Sequence, residues 1–132
     1  EQIWKNPKLK ILEPASGLGN YSIFCYYKFM KHLISIPNLQ KRSKHIIENM
    51  LYMVEIEKVN VDKCRNIFKL IDSSAQINIE HCDFLEYTPS FTFDIIMGNP
   101  PYTKPNKKDK TKSQPQLVRK YINHISNHYY KT

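Results

Sequence analysis

Apolar and polar positions along the chain alternate between two periods. Residues 8–12, 51–56, 77–81 and 93–97 are short apolar runs rich in β-branched side chains, each stopped by an acid, a cysteine or a glycine. Runs of this length bounded by turn residues predict buried strands. Between them, Ile23, Phe24, Tyr27, Met30, Leu33 and Ile34 recur at helical spacing and predict a helix over 21–33. Val59, Val61, Cys64, Ile67, Phe68 and Ile71 do the same over 59–71. A short helix is expected over 45–49, with Ser43 as its cap, after the basic stretch Gln40-Lys41-Arg42-Ser43-Lys44. Residues 103–113 carry no hydrophobic period and read as a loop, and 116–129 closes as a helix with Leu117, Tyr121, Ile122 and Ile125 on one side. Strand and helix alternate, which argues an α/β fold with a parallel sheet. No repeat or linker divides residues 1–132, so a single domain is expected.

Composition changes this picture little, and charge more. The chain has 132 residues, enough to bury a core, with 20 Lys+Arg against 12 Asp+Glu and a formal charge of +8. That balance favours a polyanionic partner. No apolar run approaches the roughly 18–20 residues of a membrane span, so no membrane role is expected. Cys25, Cys64 and Cys82 are odd in number and lack metal-ligand spacing, which points to reduced thiols, a cytoplasmic setting and no metal site. The chain starts at Glu1, not Met, and is expected to be part of something longer.

Glycine is scarce. Ordinary usage of about 7% predicts roughly nine glycines, yet there are 3, Gly17, Gly19 and Gly98. Glycine in such a chain is kept where backbone geometry or close approach requires it. The first two lie in Glu13-Pro14-Ala15-Ser16-Gly17-Leu18-Gly19, between the first strand and the first helix, where free N–H groups face a ligand. A dinucleotide fingerprint calls for a third glycine near position 22, where Ser22 stands, and an acid about 20 residues on. The Glu13 carboxylate would repel a pyrophosphate but suits a cationic amino group, so the expected ligand is a nucleoside carrying an amino acid. Glu55 ends the second strand and can accept from vicinal ribose hydroxyls. Asp83 and Phe84 follow the third strand and can offer a hydrogen-bond acceptor and an apolar wall to an adenine ring. A parallel sheet brings all these strand ends to one rim.

The fourth strand ends in Gly98-Asn99-Pro100-Pro101-Tyr102. Neither proline can donate to a sheet ladder, so the strand stops and presents an amide, a rigid backbone and an aromatic ring. An exocyclic amino group conjugated to a ring is a poor nucleophile because its lone pair is delocalised. The Asn99 side-chain oxygen and the Pro100 carbonyl can accept its two N–H bonds and free the lone pair for attack on a methyl group. Tyr102 offers a face on which a flipped-out base can stack.

Taken together, these segments resemble the S-adenosylmethionine-dependent adenine-N6 DNA methyltransferases of the gamma-type order, restriction-modification enzymes included, in which the cofactor motif precedes the catalytic one. Glu13-Pro-Ala-Ser-Gly-Leu-Gly19 resembles their glycine motif, Val54-Glu55-Ile56-Glu57 their ribose segment, Asp83-Phe84 their adenine segment and Phe93 to Tyr102 their catalytic segment. The resemblance implies a Rossmann-like class I methyltransferase core, truncated, with about four parallel strands in the order 3-2-1-4 and helices on both faces. It implies S-adenosylmethionine as cofactor, with Glu13, Pro14, Ala15, Gly17, Gly19, Glu55, Ile56, Asp83 and Phe84 around it. Asn99, Pro100, Pro101 and Tyr102 are then catalytic. DNA is the implied substrate, contacted by the rim and by the loop from Lys104 to Lys112. The family continues past the catalytic corner with further strands and a target-recognition domain. The chain is therefore expected to be a truncated or split enzyme that lacks that domain, with the remainder of the enzyme as a partner. The same chemistry on a glutamine amide or an RNA base is the alternative, although glutamine enzymes typically carry Asp-Leu-Gly at the first strand. A catalytically silent fragment that binds nucleic acid through its basic surface is the other.

Overall fold

The computed structural model describes residues 2–99, 120 and 123–125. Four parallel strands, β1 (Ile11–Pro14), β2 (Leu51–Glu55), β3 (Asn78–His81) and β4 (Ile95–Ile96), form one sheet in the order β3-β2-β1-β4. This is the order expected from the resemblance. β1 lies at the centre, with Ile11 opposite Leu51 on one side and Ile95 on the other. The chain runs outward from β1 to β3 and then returns to the far side of β1 for β4. That reversal opens a crevice at the carboxyl ends of β1 and β4, where open α/β sheets take their ligands.

The period of two along each strand separates two cores. Ile11, Leu51, Met53 and Ile79 face the helices α1 (Asn20–His32), α2 (Leu39–Asn49) and α3 (Lys58–Ile71), where they join Cys25, Phe29, Ile46, Ile47, Val61, Cys64 and Phe68. Leu12 and Val54 point to the opposite face, where Phe84 and Phe93 cover them and Ile96 and Ile125 pack alongside. Tyr52, Phe91 and Phe93 stack edge-on around that second core at 5.1–5.3 Å. Among the described residues no helix is long and apolar enough to cross a membrane.

Element boundaries differ from the sequence reading in three places. β1 begins at Ile11 and not at Lys8, because the ladder with β2 starts there. Ahead of it, the Lys10 N–H donates to the Asp94 carboxylate at 2.7 Å and the Asp94 N–H to the Lys10 carbonyl at 3.0 Å. β4 pairs only at Ile95 and Ile96, opposite Ile11 and Leu12, while Phe93 turns into the second core. The third difference is α2, which starts at Leu39, six residues ahead of the expected helix. Its cap is Asn38, whose side chain accepts from the Lys41 N–H at 2.9 Å, and not Ser43. The basic stretch is helical because Arg42 is buried: Nε donates to the Ile36 carbonyl and Nη1 to the Met30 carbonyl, both at 2.7 Å. The cation thus satisfies one carbonyl left open in the last turn of α1 and another in the link to α2. Ser43 is buried as well, between Tyr26 Oη at 2.9 Å and the Asp72 carboxylate, to which it donates at 2.6 Å.

Candidate active site

The turn after β1 reverses the chain within five residues by three left-handed steps, Ala15 (φ 52°), Gly17 (φ 57°) and Gly19 (φ 77°). Only glycine takes that region without steric cost, and alanine, the smallest chiral residue, takes it with the least bulk. The two glycines do different work. A Cβ on Gly17 would meet nothing within 4 Å, so this side of the backbone is open to an incoming group. A Cβ on Gly19 would come within 2.9 Å of Cys64 Sγ and 3.1 Å of Met53 Sδ. Gly19 therefore lets the start of α1 close onto β2 and α3.

Gly19 is also the N-cap of α1 and has no side chain with which to cap it. Glu13 does so from β1. Its carboxylate accepts from the Tyr21 N–H at 3.2 Å, the Ser22 N–H at 2.9 Å and the Ser22 hydroxyl at 2.6 Å. A negative charge at a helix N-terminus is favourable. Burial nonetheless pushes the Glu13 carboxyl above its usual range, against the downward pull of these three bonds. Its charge in turn adds to burial in raising the thiols of Cys25, to about 11, and Cys64, to about 12.

A pocket of about 420 Å³ opens beside this turn, and the carboxyl ends of all four strands reach it. Ala15 and Gly17 line it from the turn, and Val54, Glu55, Ile56 and Glu57 from the end of β2. Cys82, Asp83, Phe84 and Leu85 enclose it beyond β3, Asn60 reaches it from α3, and Asn99 from beyond β4. Glu55 is the organising group. Oε2 accepts from the Gly17 N–H at 2.6 Å, and Oε1 from the Glu57 N–H at 2.8 Å. One carboxylate thus ties the glycine turn to the start of α3, and each oxygen can accept a further bond. Asp83 caps the short 3₁₀ turn Phe84–Glu86 by accepting from the Leu85 N–H at 2.9 Å. Phe84 is buried over Leu12 and Val54 with its edge at the pocket.

Of the residues singled out in the sequence, the pocket gathers Ala15, Gly17, Glu55, Ile56, Asp83, Phe84 and Asn99. Glu13, Pro14 and Gly19 stand behind its wall, where they shape the turn. Pro100, Pro101 and Tyr102, and the loop from Lys104 to Lys112, lie outside the described residues. Sequence reasoning passed over Asn60, Cys82 and Leu85. The signal for Asn60 was its place in the first turn of the helix that directly follows the acid at the strand end. The position of Asn99 relative to the turn is fixed by its neighbour: a Cβ on Gly98 would lie 2.9 Å from the Pro14 carbonyl oxygen. The Ser16 hydroxyl, in the glycine turn, is buried without a hydrogen-bond partner among the described residues. Nor do those residues contain a cluster of three His, Cys, Asp or Glu side chains that could hold a metal ion.

Comparison with known proteins is consistent with this architecture. The chain is 25% identical over 109 residues to a tRNA1(Val) (adenine(37)-N6)-methyltransferase from Vibrio campbellii (strain ATCC BAA-1116), a match that takes in 81% of this chain and 38% of the relative. It superposes with a TM-score of 0.61 on the crystal structure of SMU.472, assigned as a methyltransferase and complexed with SAH, at 11% identity over 92% of this chain and 37% of that one. The second likeness shows a shared fold, the Rossmann-like methyltransferase fold. The chain thus spans under two fifths of the length of either protein. The model of the family described as Eco57I restriction-modification methylase matches residues 20–132. The chain belongs to the Eco57I restriction-modification methylase family.

Proposed function

We propose that this chain is the cofactor-binding and catalytic-corner portion of an S-adenosylmethionine-dependent methyltransferase that acts on the N6 amino group of adenine in DNA. One observation carries the reading: Gly17, Glu55, Phe84 and Asn99, from four separate strand ends, line one pocket. The residues fit the cofactor. The open side of Gly17 admits a close approach, Glu55 retains acceptor capacity for ribose hydroxyls, and Ile56 and Phe84 offer apolar walls to a purine. When bound, S-adenosylmethionine supplies the methyl group as an electrophile. The chain's own share is positioning and electrostatics. Asn99 offers an amide oxygen to one N–H of the adenine amino group, which holds the lone pair in line for attack and stabilises the charge that grows on that nitrogen. Glu13 and Gly19 act at one remove, by holding the turn that carries Gly17.

DNA as substrate is supported by the family's restriction-modification description and by the +8 charge of the chain. Lys104 to Lys112 are the proposed phosphate contacts, and the rest of a longer enzyme would supply target recognition. A second reading, adenine in tRNA, rests on the name of the Vibrio campbellii relative. Methyl transfer from labelled S-adenosylmethionine to adenine-containing duplex DNA, with tRNA in a parallel arm, tests both. Transfer to DNA that falls roughly 10²–10³-fold in Asn99→Ala, the range for loss of one preorganised transition-state contact, is the expected outcome. Transfer to tRNA alone would move the substrate to the second reading. Full DNA activity in Asn99→Ala would remove the catalytic corner from the mechanism.

A further inference from the structure

We infer that Asn60 is a nucleoside-recognition residue that reads the ribose jointly with Glu55; the inference rests on the cofactor reading above. Asn60 lies in the first turn of α3, and its side chain contributes no hydrogen bond to the helix there. The N-cap is Glu57, which makes no side-chain cap bond, and the Asn60 amide bonds no backbone group. Its one contact is a long one, Nδ2 donating to Glu55 Oε1 at 3.5 Å, and its Oδ1 has no partner among the described residues. Both side chains line the same pocket.

The two groups are chemically complementary in what they can read. Glu55 can only accept, while an amide both donates and accepts. Each hydroxyl of a vicinal diol does both as well. A carboxylate alone can take the O–H of each hydroxyl but leaves their oxygen lone pairs unaddressed. An adjacent amide can donate to one of them and accept from the neighbouring O–H. The pair therefore suits a cis-diol better than a single hydroxyl. Asn60 adds to that specificity, because it donates to a hydroxyl oxygen that the carboxylate cannot address.

Calorimetric titration with S-adenosylhomocysteine and with its 2′-deoxy counterpart tests this on the wild type, Asn60→Ala and the control Lys58→Ala. Lys58 stands in the same turn, and its ammonium pairs with the exposed Asp62. The wild type is expected to prefer the ribose form. Asn60→Ala is expected to lose roughly fivefold to tenfold in affinity for it, about one net hydrogen bond, with a much smaller loss for the deoxy form. Its preference ratio then narrows by that factor, while Lys58→Ala keeps the wild-type ratio. Alanine is the better helix former, and Asn60 is only half-buried, so thermal unfolding of the variant should stay close to the wild type. An unchanged ratio in Asn60→Ala, or an equal loss for both sugars, would overturn the inference and leave the cofactor reading standing. No binding of either ligand to the wild type would overturn both.

Discussion

Replacing Gly19 with alanine, beside the same change at Gly17, separates the two roles that the glycine turn combines. Both positions have left-handed backbone, so each substitution carries the conformational cost of a Cβ there, about 1–2 kcal/mol. At Gly17 nothing further is added, since the new methyl meets open space. At Gly19 it falls 2.9 Å from Cys64 Sγ and 3.1 Å from Met53 Sδ, two side chains that are fully buried. Neither sulfur can swing clear, and overpacking of this kind costs about 1–3 kcal/mol. Gly19→Ala should therefore lose about 2–5 kcal/mol in all, a large part of the 5–15 kcal/mol that a domain usually has. Urea unfolding followed by circular dichroism reads the difference as a shift in midpoint at constant slope. The double variant Gly19→Ala with Cys64→Ala provides the internal check. Removal of the nearer sulfur should return part of the loss, so the two changes should be strongly non-additive. If Gly19→Ala costs no more than Gly17→Ala, or if the pair is additive, the packing account of Gly19 is wrong. Ligand affinity should order the other way per unit of stability lost, with Gly17→Ala affecting binding more than folding.

Two further outcomes follow from the charged and thiol groups. Cys25 and Cys64 are fully buried, with thiols raised to about 11 and 12, so at pH 8 neither should react with an alkylating reagent until the protein unfolds. Cys82, partly exposed in the pocket wall, should react alone and slowly, and S-adenosylhomocysteine should protect it; rapid labelling of more than one site, read by mass spectrometry, would refute this. The Asp72 carboxyl is held below its usual 3.8, first by the Ser43 hydroxyl and then by Ser74. Its contribution to stability is therefore full above about pH 4 and is lost as pH falls through the lower folded value. Ser43→Ala should flatten that part of the acid limb in denaturant titrations between about pH 2 and 5, and an unchanged slope would refute the assignment. Glu13 works in the opposite sense. Its raised carboxyl adds stability below about pH 4.5 that fades as the group ionises, so only the difference between wild type and variant isolates Asp72.

The parallel sheet and the strand ends that line the pocket were legible from local patterning, whereas the strand order followed from the resemblance of the motifs to a known family. Four apolar runs with turn residues between them allow few arrangements, and parallel pairing then brings the strand ends together without further information. What local pattern could not show was side chains acting across long sequence separations. Arg42 reads as one more charge in a basic run, yet its guanidinium ties α2 to the end of α1, and the basic run forms the first turns of α2. Glu13 reads as a ligand for a cationic group, whereas its carboxylate is largely taken up by the helix that follows. Gly19 sits at motif spacing, but it is glycine because of Cys64 and Met53, more than 30 residues away in the chain. Asn60 was invisible for the converse reason: a polar residue on an amphipathic helix is ordinary until its neighbour in space is known.

The contact between Gly98 and Pro14 means that the glycine motif and the catalytic motif are not independent modules. A chimera that imports a catalytic segment with any side chain at 98 drives that side chain into the backbone at 14, and the strand carrying Asn99 must then move away from β1. Transplants between relatives should succeed only when both segments travel together, and drift at either position should be matched at the other. Two motifs separated by some eighty residues of chain are in effect inherited as one piece.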